Sequence, residues 1–374
     1  MKIYLVNTAQ ETSKYDILYN TLYNMFRATN ELEIIDELDC ADCIISAGDI
    51  SSQIIKRKQS SQVAIIRFLY RSDVSKHFYT DETLVDYTFW VNDLDINILY
   101  PYLQTSTKIE IPFDFHQNDE ASNKDNKYDI YVNTGEFLYA DSALFKILRT
   151  LNRLTQYKID ICSKNTNLRN LLNSNITLSD STNSIEQHVK ESRMVIGSGY
   201  AILYAIKYNK PFIVIGERGY GGIPTETNIL QYYQDFFQGT IGGRLDGALP
   251  ENLVYEDILN ISSKGQVCSY EFAEILSTAN KGTEKNIIAK ITEITKYIQT
   301  VNVSSLKFNT DYTIIQGNGI YWLLNRFTRF IIKKIEPEEV KIINEYIAPN
   351  VEPNLMNNIN STKIKELQHM KILI

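Results

Sequence analysis

Gly197-Ser198-Gly199 and, further on, Gly216, Gly219, Gly221 and Gly222 are residue types and spacings suited to anion chemistry. Backbone amides at a glycine turn, added to the positive end of a following helix, hold a diphosphate without side-chain charge. Arg218, between Gly216 and Gly219, would bring a guanidinium that pairs bidentately with phosphate oxygens, and Arg244, after Gly242-Gly243, is a second cation on a glycine loop. Thr225 and Asn228 follow where a helix start would aim their side chains into the same crevice. Asp73 and His77, close after an apolar run, are the groups able to take a proton. The spacing is neither GxGxxG nor a P-loop, since no Gly-Lys-Ser/Thr follows. Glycine turns also join strands to helices in α/β proteins that bind nothing there, and exposed charges are usually only solvated, so these residues alone leave the site open.

The elements that would position them are legible. Residues 194–196 read as a short buried strand, and Ala201, Ile202, Ala205 and Ile206 recur with helical spacing until Asn209-Lys210-Pro211 stops the helix. Residues 212–215 read as the next strand, so that both glycine loops would open on the same edge of a parallel sheet. Upstream, residues 2–6, 43–46, 63–69, 87–90 and 108–111 are strand-like, with helices near 15–29 and 93–102 between them. Asp73 and His77 thus follow a strand's carboxyl end, where open α/β sheets place ligands. Residues 116–127 (HQNDEASNKDNK) are polar and without periodicity, as a linker is. The alternation then restarts with strands at 128–132 and 158–161, an amphipathic helix at 142–154, and a short helix at 185–191.

Composition narrows the class. A net charge of −7 over 374 residues suits two or three domains and does not suit a chain that wraps nucleic acid. No apolar run approaches the roughly 20 residues of a membrane span. Residues 1–6 lead into Asn7-Thr8 without a signal-peptide cleavage pattern, and the four cysteines form no disulfide framework, so a cytoplasmic protein is expected. Cys40 and Cys43 have CxxC spacing, but neither Cys162 nor Cys268 offers a second ligand pair, and Cys43 opens a strand-like run. Burial is the expected reason for that pair, and no metal or resident cofactor is expected.

Three stretches, residues 85–112 (VDYTFWVNDLDINILYPYLQTSTKIEIP), 128–154, and above all 185–215 (IEQHVKESRMVIGSGYAILYAIKYNKPFIVI), resemble the GT-B glycosyltransferases. The likeness runs over about residues 1–298, and the last stretch is similar to the donor motif of the retaining, family-4-like members. It implies two Rossmann-like domains facing a cleft, an acceptor-side domain at 1–116, a linker at 117–127 and a nucleotide-sugar-binding domain at 128–300. The candidates for holding such a donor are Gly197, Ser198, Gly199, Arg218, Gly221, Gly222, Thr225 and Arg244. Transfer of hexosyltransferase type needs charge stabilisation on the departing diphosphate, and Asp73 or His77 would serve as base if the reaction inverts. A retaining reaction strictly requires no protein base. The sequence departs from the family at Tyr204, which stands where an acidic residue would hold the donor ribose, because a phenol lacks a carboxylate's two acceptor oxygens. It departs again after Gly135, where Glu136-Phe137-Leu138-Tyr139 replaces basic residues.

A third unit is expected at 305–374. Residues 311–316 and 321–324 are strand-like around Gly317-Asn318-Gly319, a third strand follows at 329–335, and Pro337 and Ser361 open helices. The phrase DYTIIQGNGIYWLLNRFTRFIIKKIEPEEVKIINEY resembles the PqqD-like RiPP recognition element, a winged-helix-like α+β domain that binds the leader of ribosomally made peptides. The likeness implies an added strand at the sheet edge, and Arg326, Arg329, Lys333 and Lys334 make the hairpin basic enough for an acidic peptide. Winged helices also bind DNA, yet nine Lys and Arg against seven Asp and Glu from Leu306 onward is a weak phosphate footprint. Docking of the protein into its own homo-oligomer is a further alternative. The expected activity is therefore transfer of a sugar from a nucleotide-sugar to a peptide or small protein, with a non-catalytic GT-B-like scaffold as the alternative and a DNA-binding regulator behind it.

Overall fold

The computed structural model describes residues 1–7, 13–48, 54, 63–70, 85–91, 106–115, 126–134, 140–163, 165–179, 185–216, 218–239, 241, 250–264, 269–300, 312–317, 320–325 and 331–335. The strands are β1 (Lys2–Asn7), β2 (Glu33–Ile34), β3 (Cys43–Ala47), β4 (Ala64–Tyr70), β5 (Tyr87–Val91), β6 (Ser106–Ile109), β7 (Tyr128–Asn133), β8 (Ile159–Cys162), β9 (Ile176–Ser179), β10 (Ser192–Gly197), β11 (Phe212–Gly216), β12 (Gly219–Gly222), β13 (Tyr312–Gly317), β14 (Ile320–Asn325) and β15 (Ile331–Ile335). The helices used below are α1 (Ser13–Arg27), α2 (Ala140–Arg153), α3 (Ile185–Lys190), α4 (Tyr200–Lys207), α5 (Ile229–Gln234), α6 (Glu251–Lys264) and α7 (Ser269–Thr300).

The first half is a sheet ordered β2-β1-β3-β4-β5-β6 with every pairing parallel. Every residue of β3, β4 and β5 is buried, Ser46, Arg67 and Thr88 included, which explains why these strands read as mostly apolar runs instead of alternating ones. The second half is ordered β12-β11-β10-β7-β8-β9 and is parallel from β11 to β9. That is the doubly wound order, with its reversal between β7 and β10, so the crevice outside their carboxyl ends is where such a sheet takes a ligand. The 197–199 turn leaves β10 at that point.

The second glycine loop is a correction. Residues Gly219–Gly222 form strand β12, antiparallel to β11, with Val214 opposite Gly222, Ile215 opposite Tyr220 and Gly216 opposite Gly219. A strand of three glycines shows no alternation of side chains, so its sequence reads as a loop.

The halves share a core. One cluster of buried residues runs from Ile3, Ile45 and Phe68 of the first sheet through Tyr200–Ile206 of α4 to Val195 and Phe212 of the second. A helix that is apolar all round has to be enclosed, and α4 is. A separate cluster lies under α2 and α6 on the other face of the second sheet. Helix α7 spans 32 residues, about 48 Å. It begins with Phe272 against Phe212 and ends on the first half, where the Lys290 ammonium lies over the Tyr87 ring and the Gln299 amide donates to Asp42. Two parallel-sheet units tied by a returning helix fit the GT-B architecture.

The third sheet is the antiparallel meander β13-β14-β15 expected from the hairpin signals, with Gly317 opposite Ile320. Lys333 and Lys334 fall on β15, opposite Leu323 and Trp322. Arg326, Arg329, the helices expected after Pro337 and Ser361, the helix at 93–102 and most of the linker lie outside the described residues. Among the described residues no helix is long and apolar enough to cross a membrane, and no group of three His, Cys, Asp or Glu is placed to hold a metal ion.

Candidate functional site

The 197–199 turn is built by close approach of backbone to backbone. A Cβ on Gly197 would lie 1.9 Å from the Asn133 carbonyl oxygen of β7. The Ser198 amide donates to that carbonyl at 3.0 Å, and the Ser198 hydroxyl donates to the Thr134 carbonyl at 2.7 Å. Gly199 takes φ 58° and ψ −132°, a region that glycine alone enters readily, and starts α4 by accepting from the Ile202 and Leu203 amides. Its own amide donates to the Phe236 carbonyl at 3.0 Å. Two of the amides an anion would use thus bond to the chain itself.

A buried polar network braces the turn from below. The Asp160 carboxylate of β8 accepts from the Ser179 hydroxyl and lies 2.7 Å from His188 Nδ1 of α3. The His188 ring stacks on Tyr131, 5.3 Å between centroids, and the Tyr131 hydroxyl accepts from the Asn133 side chain at 3.1 Å. Burial pushes the Tyr131 phenol far above its ordinary pKa, so it stays neutral in this network. The network ends at Asn133, the residue whose carbonyl holds Ser198.

The other donor-side candidates divide. Gly216 and Gly221 are explained by packing, for a Cβ would meet the Gln238 carbonyl at 2.5 Å and a Val214 methyl at 2.9 Å respectively. Gly222 has φ 76°. Arg218 sits at the hairpin tip, partly exposed, with its amide donating to the Gln238 carbonyl at 3.1 Å. Thr225 is exposed, and Asn228 turns its side chain back to accept from the Thr225 amide at 2.7 Å, which spends it on the local turn before α5. Arg244, Asp73 and His77 lie outside the described residues.

What meets the turn from the first half is an aromatic group. Tyr70, the last residue of β4, places its hydroxyl 2.5 Å from that of Tyr200, the first residue of α4. Its amide donates to the Tyr15 hydroxyl of α1, and its ring packs edge-on to Tyr15 at 5.2 Å. Phe236 lies between the halves, 6.1 Å from the Tyr70 ring and 5.2 Å from the Tyr200 ring, with one of its ring carbons 3.1 Å from where a Gly199 Cβ would be. Tyr70, Tyr200 and Phe236 are 1%, 4% and 2% exposed, so water does not reach this contact.

Phe236 occupies an unusual backbone position. The Phe236 amide donates to Tyr233 and the Phe237 amide to Tyr232, which is the Schellman ending of α5, with Phe236 where glycine is usual. Phe236 and Phe237 have φ of 52° and 56°. For bulky side chains the left-handed region costs about 1 kcal/mol or more per residue. Nothing in hydrophobic periodicity marks Tyr70, Tyr200 or Phe236. The only trace in the sequence is a pair of phenylalanines where a helix end would favour glycine.

Tyr204 faces away from solvent at 9% exposure, edge-on to Phe113 at 5.1 Å and stacked with Tyr208 at 6.4 Å. Burial, then the Glu186 carboxylate and Tyr208, push its phenol well above the ordinary value. It is a neutral wall residue against the segment that joins the halves.

No family model matches the chain, and no curated protein matches its sequence. Solved structures do show likeness. TarM has a TM-score of 0.44 at 12% identity, over 74% of this chain and 58% of TarM. Anabaena HepE in complex with UDP-glucose has a TM-score of 0.41 at 11% identity, over 80% of this chain and 98% of HepE. The UDP-N-acetylglucosamine 2-epimerase of Rickettsia bellii has a TM-score of 0.40 at 11% identity, over 80% and 99%. The chain thus spans under two thirds of TarM's length. At these scores the architecture rests on the strand orders above, and the ligands of those proteins are their own.

Proposed function

We propose that the chain is a GT-B-type glycosyltransferase, taking a sugar from a nucleotide-sugar held at the 197–199 turn and passing it to an acceptor offered from the first half. The observation that supports this most is the meeting of the two carboxyl edges. The end of β4 touches the start of α4, at the switch point of the second sheet, through the Tyr70 and Tyr200 hydroxyls. In the transfer, the bond between the sugar's anomeric carbon and the diphosphate oxygen breaks, and the bond to the acceptor oxygen forms. The diphosphate leaves with its electron pair, which Arg218, Arg244 and the first amides of α4 would stabilise. The acceptor proton would go to Asp73 or His77 in an inverting reaction and to the leaving group in a retaining one.

The acceptor we propose is a ribosomally made peptide or small protein, added as a strand to an edge of the β13-β14-β15 sheet next to Lys333 and Lys334. A non-catalytic GT-B-like scaffold that binds the same class of peptide, or a partner maturation enzyme, is the second reading. Tyr204 favours it, being walled in by Phe113 where a ribose-binding carboxylate would stand, and so do the turn amides already bonded to Asn133 and Phe236.

Thermal denaturation with uridine, guanosine and thymidine diphosphates and their sugar conjugates decides between the two. A ligand at 100 times its dissociation constant stabilises the native state by about 2.7 kcal/mol. A rise in Tm with one base is the expected result, followed by consumption of that nucleotide-sugar when a peptide acceptor is added. A flat response across the panel, in wild type and in Phe236→Gly alike, leaves the scaffold.

A further inference from the structure

We infer that Phe236, clamped by the Tyr70 and Tyr200 hydroxyl pair, is an autoinhibitory plug seated on the glycine turn of the second half. This rests on the reading of that turn as the donor site. Three independent features meet at one residue. The Phe236 carbonyl takes the Gly199 amide, the donor that a phosphate oxygen would otherwise use. The Phe236 ring covers the face of Gly199, with a ring carbon 3.1 Å from the position of a Cβ, and so fills the space a diphosphate would enter. Its backbone, with that of Phe237, is held in the left-handed region at φ 52° and 56°, at a helix end where glycine would be unstrained.

A bulky residue kept in a costly conformation is kept there by what it touches, and Phe236 touches both halves. Its ring lies between Tyr70 and Tyr200, whose hydroxyls are 2.5 Å apart. Parting the halves breaks the hydroxyl contact, uncovers the ring and lets residues 236–237 relax, which frees the Gly199 amide. Anion binding at the turn and contact between the halves at Tyr70 therefore exclude each other. A nucleoside diphosphate has to displace Phe236 to bind.

The test compares wild type, the Tyr70→Phe, Tyr200→Phe double variant and Phe236→Gly by hydrogen exchange at the Gly199 amide and by titration with uridine, guanosine and thymidine diphosphates. The double variant keeps both rings and removes the hydroxyl contact, so it decides the matter even if Phe236→Gly fails to fold. Exchange at Gly199 is expected to rise at least tenfold in each variant. The preferred diphosphate is expected to bind at least tenfold more tightly to Phe236→Gly than to wild type, and by a smaller factor to the double variant. Unchanged exchange in the double variant, or equal affinity in all forms, overturns the plug while leaving the donor site standing. Binding to none of the forms, Phe236→Gly included, overturns the donor site and the plug together.

Discussion

Gly197→Ala is expected to cost on the order of 4 kcal/mol, at the severe end for a single substitution, while the same change at Gly282 stabilises the protein. At Gly197 the added methyl carbon would sit 1.9 Å from the Asn133 carbonyl oxygen and 2.7 Å from its carbon. Both atoms are backbone in β7, the partner of β10 at the centre of the second sheet, so relief requires the two central strands to separate. The carbonyl involved also holds the Ser198 amide, and its residue closes the Asp160–His188–Tyr131 network, so a shift would propagate to α3. Gly282 has nothing within 4 Å of where its Cβ would be and lies inside α7. Alanine there removes the conformational cost of glycine in a helix, about 1 kcal/mol. Urea denaturation of the two variants reads both. A Gly197→Ala midpoint near that of wild type would show that the turn yields easily and that β7 and β10 do not need the glycine to meet.

The contrast shows how far the sequence could be read. Most strands of both sheets were legible because parallel strands buried on both faces are near-continuous apolar runs, as in residues 43–47 and 64–70, broken only at Ser46 and Arg67, and in 212–216. Strands β2 and β9 escaped because they are short and only partly buried, with Thr177 exposed in β9. The turn at 197–199 was legible as a glycine turn, but its reason was not. The pattern Gly-Ser-Gly is the same whether a phosphate or a neighbouring carbonyl approaches, and only the pairing of β7 with β10 distinguishes them. The hairpin β11-β12 was misread as a loop for the complementary reason that Gly219, Gly221 and Gly222 carry no side chains to alternate. Residues that close the crevice were beyond sequence reasoning. Tyr70, Tyr200 and Phe236 come from a strand end, a helix start and the residues just past a short helix, and nothing local says that they touch. Helix α7 changes the partner of its hydrophobic positions along its length, from the second half of the protein to the first, and a single helical period does not show that.

Asn280, midway along that helix, is where the second large effect is expected. Its side-chain amide pairs with the backbone of Phe113 as a neighbouring strand would: the oxygen accepts from the Phe113 amide at 3.3 Å and the nitrogen donates to the Phe113 carbonyl at 2.9 Å. The nitrogen also donates to the Glu284 carboxylate at 3.1 Å. Phe113 belongs to the segment between β6 and the second half, and its ring lies against Tyr204 and Tyr200 of α4. Two residues earlier, the Tyr233 hydroxyl of α5 donates to the Ile111 carbonyl. Burial keeps that phenol neutral and a donor at all ordinary pH. The segment therefore runs between α5 and α7 with the Ile111 carbonyl and both backbone groups of Phe113 satisfied by side chains. Asn280→Ala would strand the Phe113 amide and carbonyl together. At about 1–3 kcal/mol for each buried polar group left without a partner, a loss of roughly 3 kcal/mol follows. The loss falls on the joint between the halves, so denaturation followed separately by probes in the two sheets is expected to lose its coincidence in the variant. Thr278→Ala, two residues away on an exposed face of the same helix, is expected to stay within about 0.5 kcal/mol of wild type. Equal stability of the two variants would mean that Asn280 does not clamp the joint, and that the packing of Phe113 against α4 holds the halves together alone.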